Sequence, residues 1–198
     1  SIATSVITMI LWSFGFLRMG TVGLVSQSLG KGDYREIVST ILRNLTLAII
    51  ISFVIILLKY PILILINKFF PTSNETKFLI EQYISLRLFS APAELIMYVL
   101  IGFYLGIQKT KISSLFISFY CILNIILSSY FVIFLDLNVK GVALGTVLSA
   151  YTITIIFLIF SYLYIKKKFK VIPRLNKIII KRKILRLFNI NFDIFIRT

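Results

Sequence analysis

Histidine is absent from the 198 residues, and cysteine occurs once, as Cys121. Without histidine there is no Ser-His or Cys-His nucleophilic pair, no imidazole zinc site and no histidine-ligated haem. One cysteine excludes an intrachain disulfide and a thiolate metal cluster. Acids are scarce too, seven against 22 Lys and Arg. That leaves few carboxylates for general acid–base chemistry and argues against an integral-membrane enzyme acting on lipids. The opening stretch has neither the basic n-region nor the cleavage signature of a secretory leader.

What fills the chain instead is hydrocarbon. Apolar residues make up 59% of it and the mean hydropathy is +0.97, against about 45–50% apolar in soluble domains. Phe, Ile and Leu come in runs near the ~20 residues that a helix needs to cross a bilayer. In hydrocarbon the backbone must satisfy its own hydrogen bonds, so only helices or closed barrels span it. The runs are too long and too uniformly apolar for barrel strands. The expectation is an all-α polytopic membrane bundle with five full spans, a lipid bilayer as its first partner, and no folded state in water alone.

Short polar breaks divide the spans. The first runs from Ile2 to Leu29 and stops at Gly30-Lys31-Gly32-Asp33. The second starts near Glu36 and continues through Leu45–Leu58. Lys59-Tyr60-Pro61 marks an interface, followed by a short apolar piece to Phe70. Thr72-Ser73-Asn74-Glu75 has capping-box spacing and opens a third span reaching Gly106, which Pro92 should kink. Ile112–Leu135 and Gly141–Tyr164 are the fourth and fifth, joined by Asp136–Lys140. Residues 1–164 thus read as the bundle. Residues 165–188 read as a basic amphipathic stretch drawn to anionic lipid, or else as a basic solvated linker. Residues 189–198 read as the start of another span.

Basic charge collects on one side. Loops 30–44 and 106–112 and the segment from Lys166 onward hold sixteen Lys and Arg, while the opposite connectors hold four. The positive-inside rule places loops 30–44, 106–112 and 165–188 in the cytoplasm, in a multi-pass cytoplasmic-membrane protein. Charge segregated beside apolar spans, without a soluble basic module, also argues against nucleic acid as a partner.

Several strings together resemble one family. Phe14-Gly-Phe-Leu-Arg-Met-Gly-Thr21, then Gly23, Gln27 and Gly30-Lys-Gly-Asp33, resemble the second helix and following loop of multidrug and toxic compound extrusion (MATE) transporters. The branch they resemble is the DNA-damage-inducible protein F type. Tyr83-Ile-Ser-Leu-Arg87, Ala91-Pro92-Ala93 and Leu105-Gly-Ile-Gln108 look like its fourth helix. Leu123-Asn124-Ile125 and Val139-Lys-Gly-Val-Ala143 look like helices five and six, and Phe192–Thr198 resembles the entry to helix seven. The resemblance implies helices two to six of the six-helix N-lobe, present as a fragment. Helix one and most of the C-lobe would be the missing partners. It further implies export of drugs and small amphiphilic or cationic substrates by H+ or Na+ antiport, with no cofactor beyond the coupling ion. A lipid-linked oligosaccharide flippase of the same superfamily and an inert membrane scaffold remain as alternatives.

Ionisable groups inside spans cost about 2.5–3.5 kcal/mol each on an insertion scale, so each needs an account. Glu94 reads either as a proton or cation site or as a counter-charge to Arg18 or Arg87. Arg87 lies seven residues before it, on the same face but about 10 Å away along an ideal helix. Contact therefore needs help from the Pro92 kink or from water. Arg18 reads as a structural charge bonding helix carbonyls. On the fourth span Ser114, Ser118, Cys121, Asn124 and Ser128 share one face and either line a hydrated cavity or join neighbouring helices. By the resemblance Asn124 fits an ion-linked polar network, but Ser128 stands where that branch has Asp. Tyr83 and Thr146 also match network positions of the branch, although an interface tyrosine and a packing threonine read equally well. Gly141, Gly145 and Ser149 form a ridge for close helix approach.

Overall fold

Polar punctuation and glycine set the helix ends. The computed structural model describes residues 2–69 and 73–169. Helices α1 (Ile2–Ser13) and α2 (Phe16–Gly30) follow one another with a break at Phe14-Gly15. There the N–H groups of Phe14, Gly15, Leu17 and Arg18 bond three residues back rather than four. Gly32, at φ 67°, supplies the left-handed residue of the next turn. The Asp33 carboxylate then accepts from the Glu36 N–H at 3.0 Å, capping α3 (Tyr34–Leu57). After Leu58 comes α4 (Lys59–Phe69), a short helix with Pro61 in its first turn. Ser73 caps α5 (Asn74–Arg87) by accepting from the Thr76 N–H. A 3₁₀ turn, Leu88–Ser90, leads into α6 (Ala91–Gly106), and α7 (Thr110–Ile133) and α8 (Asn138–Phe169) complete the order. Among the described residues there is no strand.

Among the described residues, five stretches are long and apolar enough to cross a membrane: Ala3–Gly30, Tyr34–Leu57, Asn74–Gly106, Thr110–Ile133 and Asn138–Phe169. Their outward faces are hydrocarbon. Ile49, Phe53 and Leu57 on α3, Ile122, Ile125 and Ile133 on α7, and Ile155, Ile159 and Leu163 on α8 are all exposed. A soluble monomer rarely shows apolar patches of that extent, whereas a helix facing lipid requires them.

α6 is the hub, packing against α1, α2, α3, α7 and α8. It meets α2 through Gly102 and Gly106. A Cβ on Gly102 would stand 2.6 Å from the Arg18 carbonyl oxygen, and one on Gly106 would stand 2.7 Å from Val25 Cβ. This is the small-residue approach that substitutes for a hydrophobic drive within lipid. The expected ridge on α8 does the same against α7, where a Cβ on Gly145 would lie 2.5 Å from Ser128 Oγ.

Several boundaries differ from the sequence reading. The first span is two helices, because Gly15 sits in the 3₁₀ step. The residue that caps α5 is Ser73, paired with Thr76 rather than with Glu75. Loop 30–44 is mostly helix: only Lys31–Asp33 interrupts it, and Arg43 lies buried in α3, ion-paired with Glu36 at 3.0 Å. The first residues assigned to the basic linker continue α8 to Phe169. The rest of that linker and the expected start of a further span, residues 170–198, lie outside the described residues.

Candidate functional site

Pro92 has no N–H to offer, and the chain around it shows what replaces the missing bond. The Ala91 N–H turns back to the Leu88 carbonyl in the 3₁₀ step. The Arg87 carbonyl is met by Ser90 Oγ at 2.7 Å, and the Phe89 carbonyl accepts from the Tyr151 hydroxyl of α8 at 3.0 Å. One turn on, Thr154 Oγ1 donates to the Ala93 carbonyl at 3.0 Å. The kink is therefore a hydrogen-bonded joint between α6 and α8, as buried backbone groups require.

Arg87 and Glu94 meet beside this joint. Arg87 Nη1 stands 2.5 Å from Glu94 Oε1, with both side chains about nine-tenths buried, and it also donates to Ser90 Oγ. The Arg87 guanidinium is thus the counter-charge of Glu94. Buried Tyr83, one turn before Arg87, and Tyr120 of α7 also face the guanidinium. Tyr98, one turn after Glu94, is within electrostatic reach of this pair and of Arg18, with which it shares a pocket wall.

Arg18 is half-buried, and among the described residues no helix carbonyl accepts from it. It lines a cavity of about 520 Å³ with Met9, Trp12, Phe16, Met19 and Tyr98. Ser13 and Gly15 complete the lining, so the expected anchor stands at the wall of a mostly apolar and aromatic pocket.

The stripe on α7 divides. Ser114, Ser118 and Cys121 are exposed, whereas Asn124 and Ser128 turn toward α8. Asn124 Nδ2 donates to Ser149 Oγ at 3.3 Å, and Ser149 Oγ donates to the Thr146 carbonyl at 3.0 Å. Thr146 Oγ1 bonds its own helix at the Val142 carbonyl. Ser128 Oγ is buried against Gly145 without a hydrogen-bond partner. Asn124, Ser128 and Thr146 therefore gather at the α7–α8 seam, while Tyr83 and Glu94 gather at the kink. Among the described residues no side-chain hydrogen bond joins the two groups.

One polar contact was not anticipated. Asn44 on α3 is fully buried and donates from Nδ2 to Thr21 Oγ1 of α2 at 2.9 Å, while Thr21 donates to the Leu17 carbonyl. Asn44 Oδ1 has no partner. The available signal was a single amide amid the apolar residues of α3.

The likeness to known proteins matches this architecture. A profile of the MatE family matches residues 1–130. The chain belongs to the MatE family. It is 34% identical over 154 residues to DNA damage-inducible protein F of Escherichia coli (strain K12), covering 78% of this chain and 33% of that protein. It is 28% identical over 142 residues to the multidrug export protein MepA of Staphylococcus aureus (strain bovine RF122 / ET3-1), covering 72% of this chain and 32% of that one. The chain thus spans about a third of the length of these curated relatives.

Among solved structures, an inward-facing multidrug resistance MATE family transporter of the MOP superfamily superposes with TM-score 0.84 at 22% identity. That match takes in 96% of this chain and 43% of the other. A MOP superfamily transporter from Pyrococcus furiosus, described as having a binding pocket of reverse polarity that suggests a different function, gives 0.83 at 20% identity, covering 96% of this chain and 43% of that one. At these identities the likeness is one of fold. The helices described here accordingly carry the fold of those structures.

Proposed function

We propose that this chain is the N-lobe portion of a MATE-type exporter that expels small amphiphilic or cationic compounds in exchange for H+ or Na+. The missing first helix and the C-lobe would complete it. The observation that carries this reading is the buried Arg87–Glu94 pair at the kink of the helix on which the others pack. A carboxylate and a guanidinium inside a membrane are costly to maintain. A proton or sodium ion on Glu94 would release Arg87 and alter the joint that ties α6 to α8. A ligand drives such a change only by binding the two states unequally. Rocking of the lobes would then expose the cleft to alternate sides.

The α7–α8 seam is the weaker coupling candidate. Ser128 stands where the resembled branch has Asp and cannot take a proton from water near neutral pH. Its Oγ is pressed against Gly145, leaving Asn124 and Thr146 to order the seam. The chain would lie in the cytoplasmic membrane with its basic connectors inside.

Arg18 favours a second reading, in which the cargo carries an anionic head group, as for a lipid-linked oligosaccharide. Its guanidinium lines the pocket without a carboxylate beside it among the described residues. Both readings are tested with the complete protein in proteoliposomes under imposed H+ or Na+ gradients, offered either an amphiphilic cation or an anionic polyprenyl phosphate. Gradient-dependent movement of the cation supports the exporter, movement of the phosphate alone supports the second reading, and movement of neither defeats both.

A further inference from the structure

α3 begins where α8 ends. Tyr34 stacks on Phe169 with ring centroids 5.0 Å apart, so the two helices run in opposite directions from a shared basic end. Just inside that end a cavity of about 500 Å³ opens between them, walled by Val38, Ile41 and Leu45 on one side and by Leu158 and Ile165 on the other, with Lys166 at its mouth. From Lys166 to Leu158 is about 12 Å along the helix, most of the roughly 15 Å of hydrocarbon in one leaflet. Ile159 and Tyr162, also on the wall, are exposed, so the slot opens toward the membrane rather than into the bundle.

Two polar features stand along the slot. Lys166, Lys167 and Lys168 are exposed together on the last turn of α8. Ser161, only 3% exposed, lies about 7.5 Å deeper on the wall of the slot. Its Oγ is buried and faces the Tyr104 hydroxyl, so polar recognition at the slot rests on the lysines.

We propose that this slot holds one acyl chain of an anionic phospholipid from the leaflet at the basic end of the bundle. The phosphate rests on the Lys166–Lys168 cluster. The walls select a hydrocarbon chain over a peptide, because a peptide backbone would leave most of its polar groups without partners there. Three adjacent lysines select a negative head group over a zwitterionic one. The inference is independent of what the protein transports.

The test is native mass spectrometry of the full-length protein in neutral detergent, with phosphatidylglycerol and phosphatidylcholine as competing probes. One phosphatidylglycerol should be retained per chain in preference to phosphatidylcholine. The variant K166Q/K167Q/K168Q should lower that preference by up to about fivefold per lysine, and the triple arginine variant should keep it. Leu158→Trp or Ile41→Trp, whichever elutes monodisperse, should lose the bound lipid by filling the slot, while Ile133→Trp on the exposed face of α7 should retain it. Equal retention of the two lipids, or undiminished phosphatidylglycerol in a monodisperse slot-filling variant, would overturn the proposal.

Discussion

Arg87 and Glu94, seven residues apart, meet across the 3₁₀ turn of the central helix path, with Nη1 and Oε1 2.5 Å apart. An unbroken helix would separate them by about 10 Å along its axis. Two long side chains can bridge that rise, as Arg43 and Glu36 do at 3.0 Å within the unbroken α3, so the contact does not by itself require the break at Pro92. Removing one partner leaves a buried charge without its counter-charge, at a cost of about 3–5 kcal/mol. Glu94→Gln alone should lower the thermal midpoint of the purified full-length protein by several degrees. Adding Arg87→Gln should return most of that loss, and a double variant no more stable than the single one would show that the pair is not energetically coupled.

The joint itself predicts a second, smaller effect. Tyr151→Phe removes the donor to the Phe89 carbonyl, and Ser90→Ala removes the donor to the Arg87 carbonyl. Each should cost about 0.6–1.5 kcal/mol, the range for hydrogen bonds within membranes and proteins. Thermal unfolding in detergent checks this, and wild-type midpoints in both variants would contradict it.

Glycines at the helix crossings separate by position. A Cβ on Gly145 would meet the backbone nitrogen of Ser128 at 2.6 Å, whereas one on Gly23 would meet nothing within 4 Å. Gly145→Ala should part α7 from α8 and destabilise by about 1–3 kcal/mol. Gly23→Ala should be neutral or stabilising by up to about 1 kcal/mol. The same melting assay reads both, and similar midpoints for the two would refute the packing described here.

The spans and their order were legible because each run of Leu, Ile and Phe reports burial in lipid directly, and because Gly30–Asp33 and Pro92 interrupt helices for local steric reasons. The ridge of Gly141, Gly145 and Ser149 could be seen at helical spacing, yet the role of Gly102 and Gly106 in the α2–α6 crossing was hidden inside an apolar run. Side-chain partners were less legible. Arg87 was one of two cations open to Glu94, and the choice between it and Arg18 on another helix is made by packing that sequence alone does not fix. Arg43 looked like a loop cation because its partner, Glu36, lies two turns earlier on the same helix. Asn44 was missed because a lone amide shows no pattern until Thr21 of α2 is beside it.

Asn44 and Thr21 give a prediction of their own. Thr21→Val leaves the Asn44 amide with neither end satisfied in a fully buried position. It should cost about 1–3 kcal/mol, more than the double variant Thr21→Val/Asn44→Leu, which removes the polar groups altogether. A double variant less stable than Thr21→Val would contradict this.

Orientation follows from charge and can be read chemically. With Cys121→Ser as background, a cysteine at Lys140 should react with an impermeant maleimide added to intact cells, and one at Lys31 only after permeabilisation. The reverse pattern would invert the bundle.

The central claim is that Glu94 carries the coupling ion rather than merely balancing Arg87. Gradient-driven uptake of an amphiphilic cation by proteoliposomes holding the complete Arg87→Gln/Glu94→Gln protein separates the two roles, since charge balance is kept while the carboxylate is gone. Substrate binding without gradient-driven transport is the predicted result, and transport at the wild-type rate would contradict it.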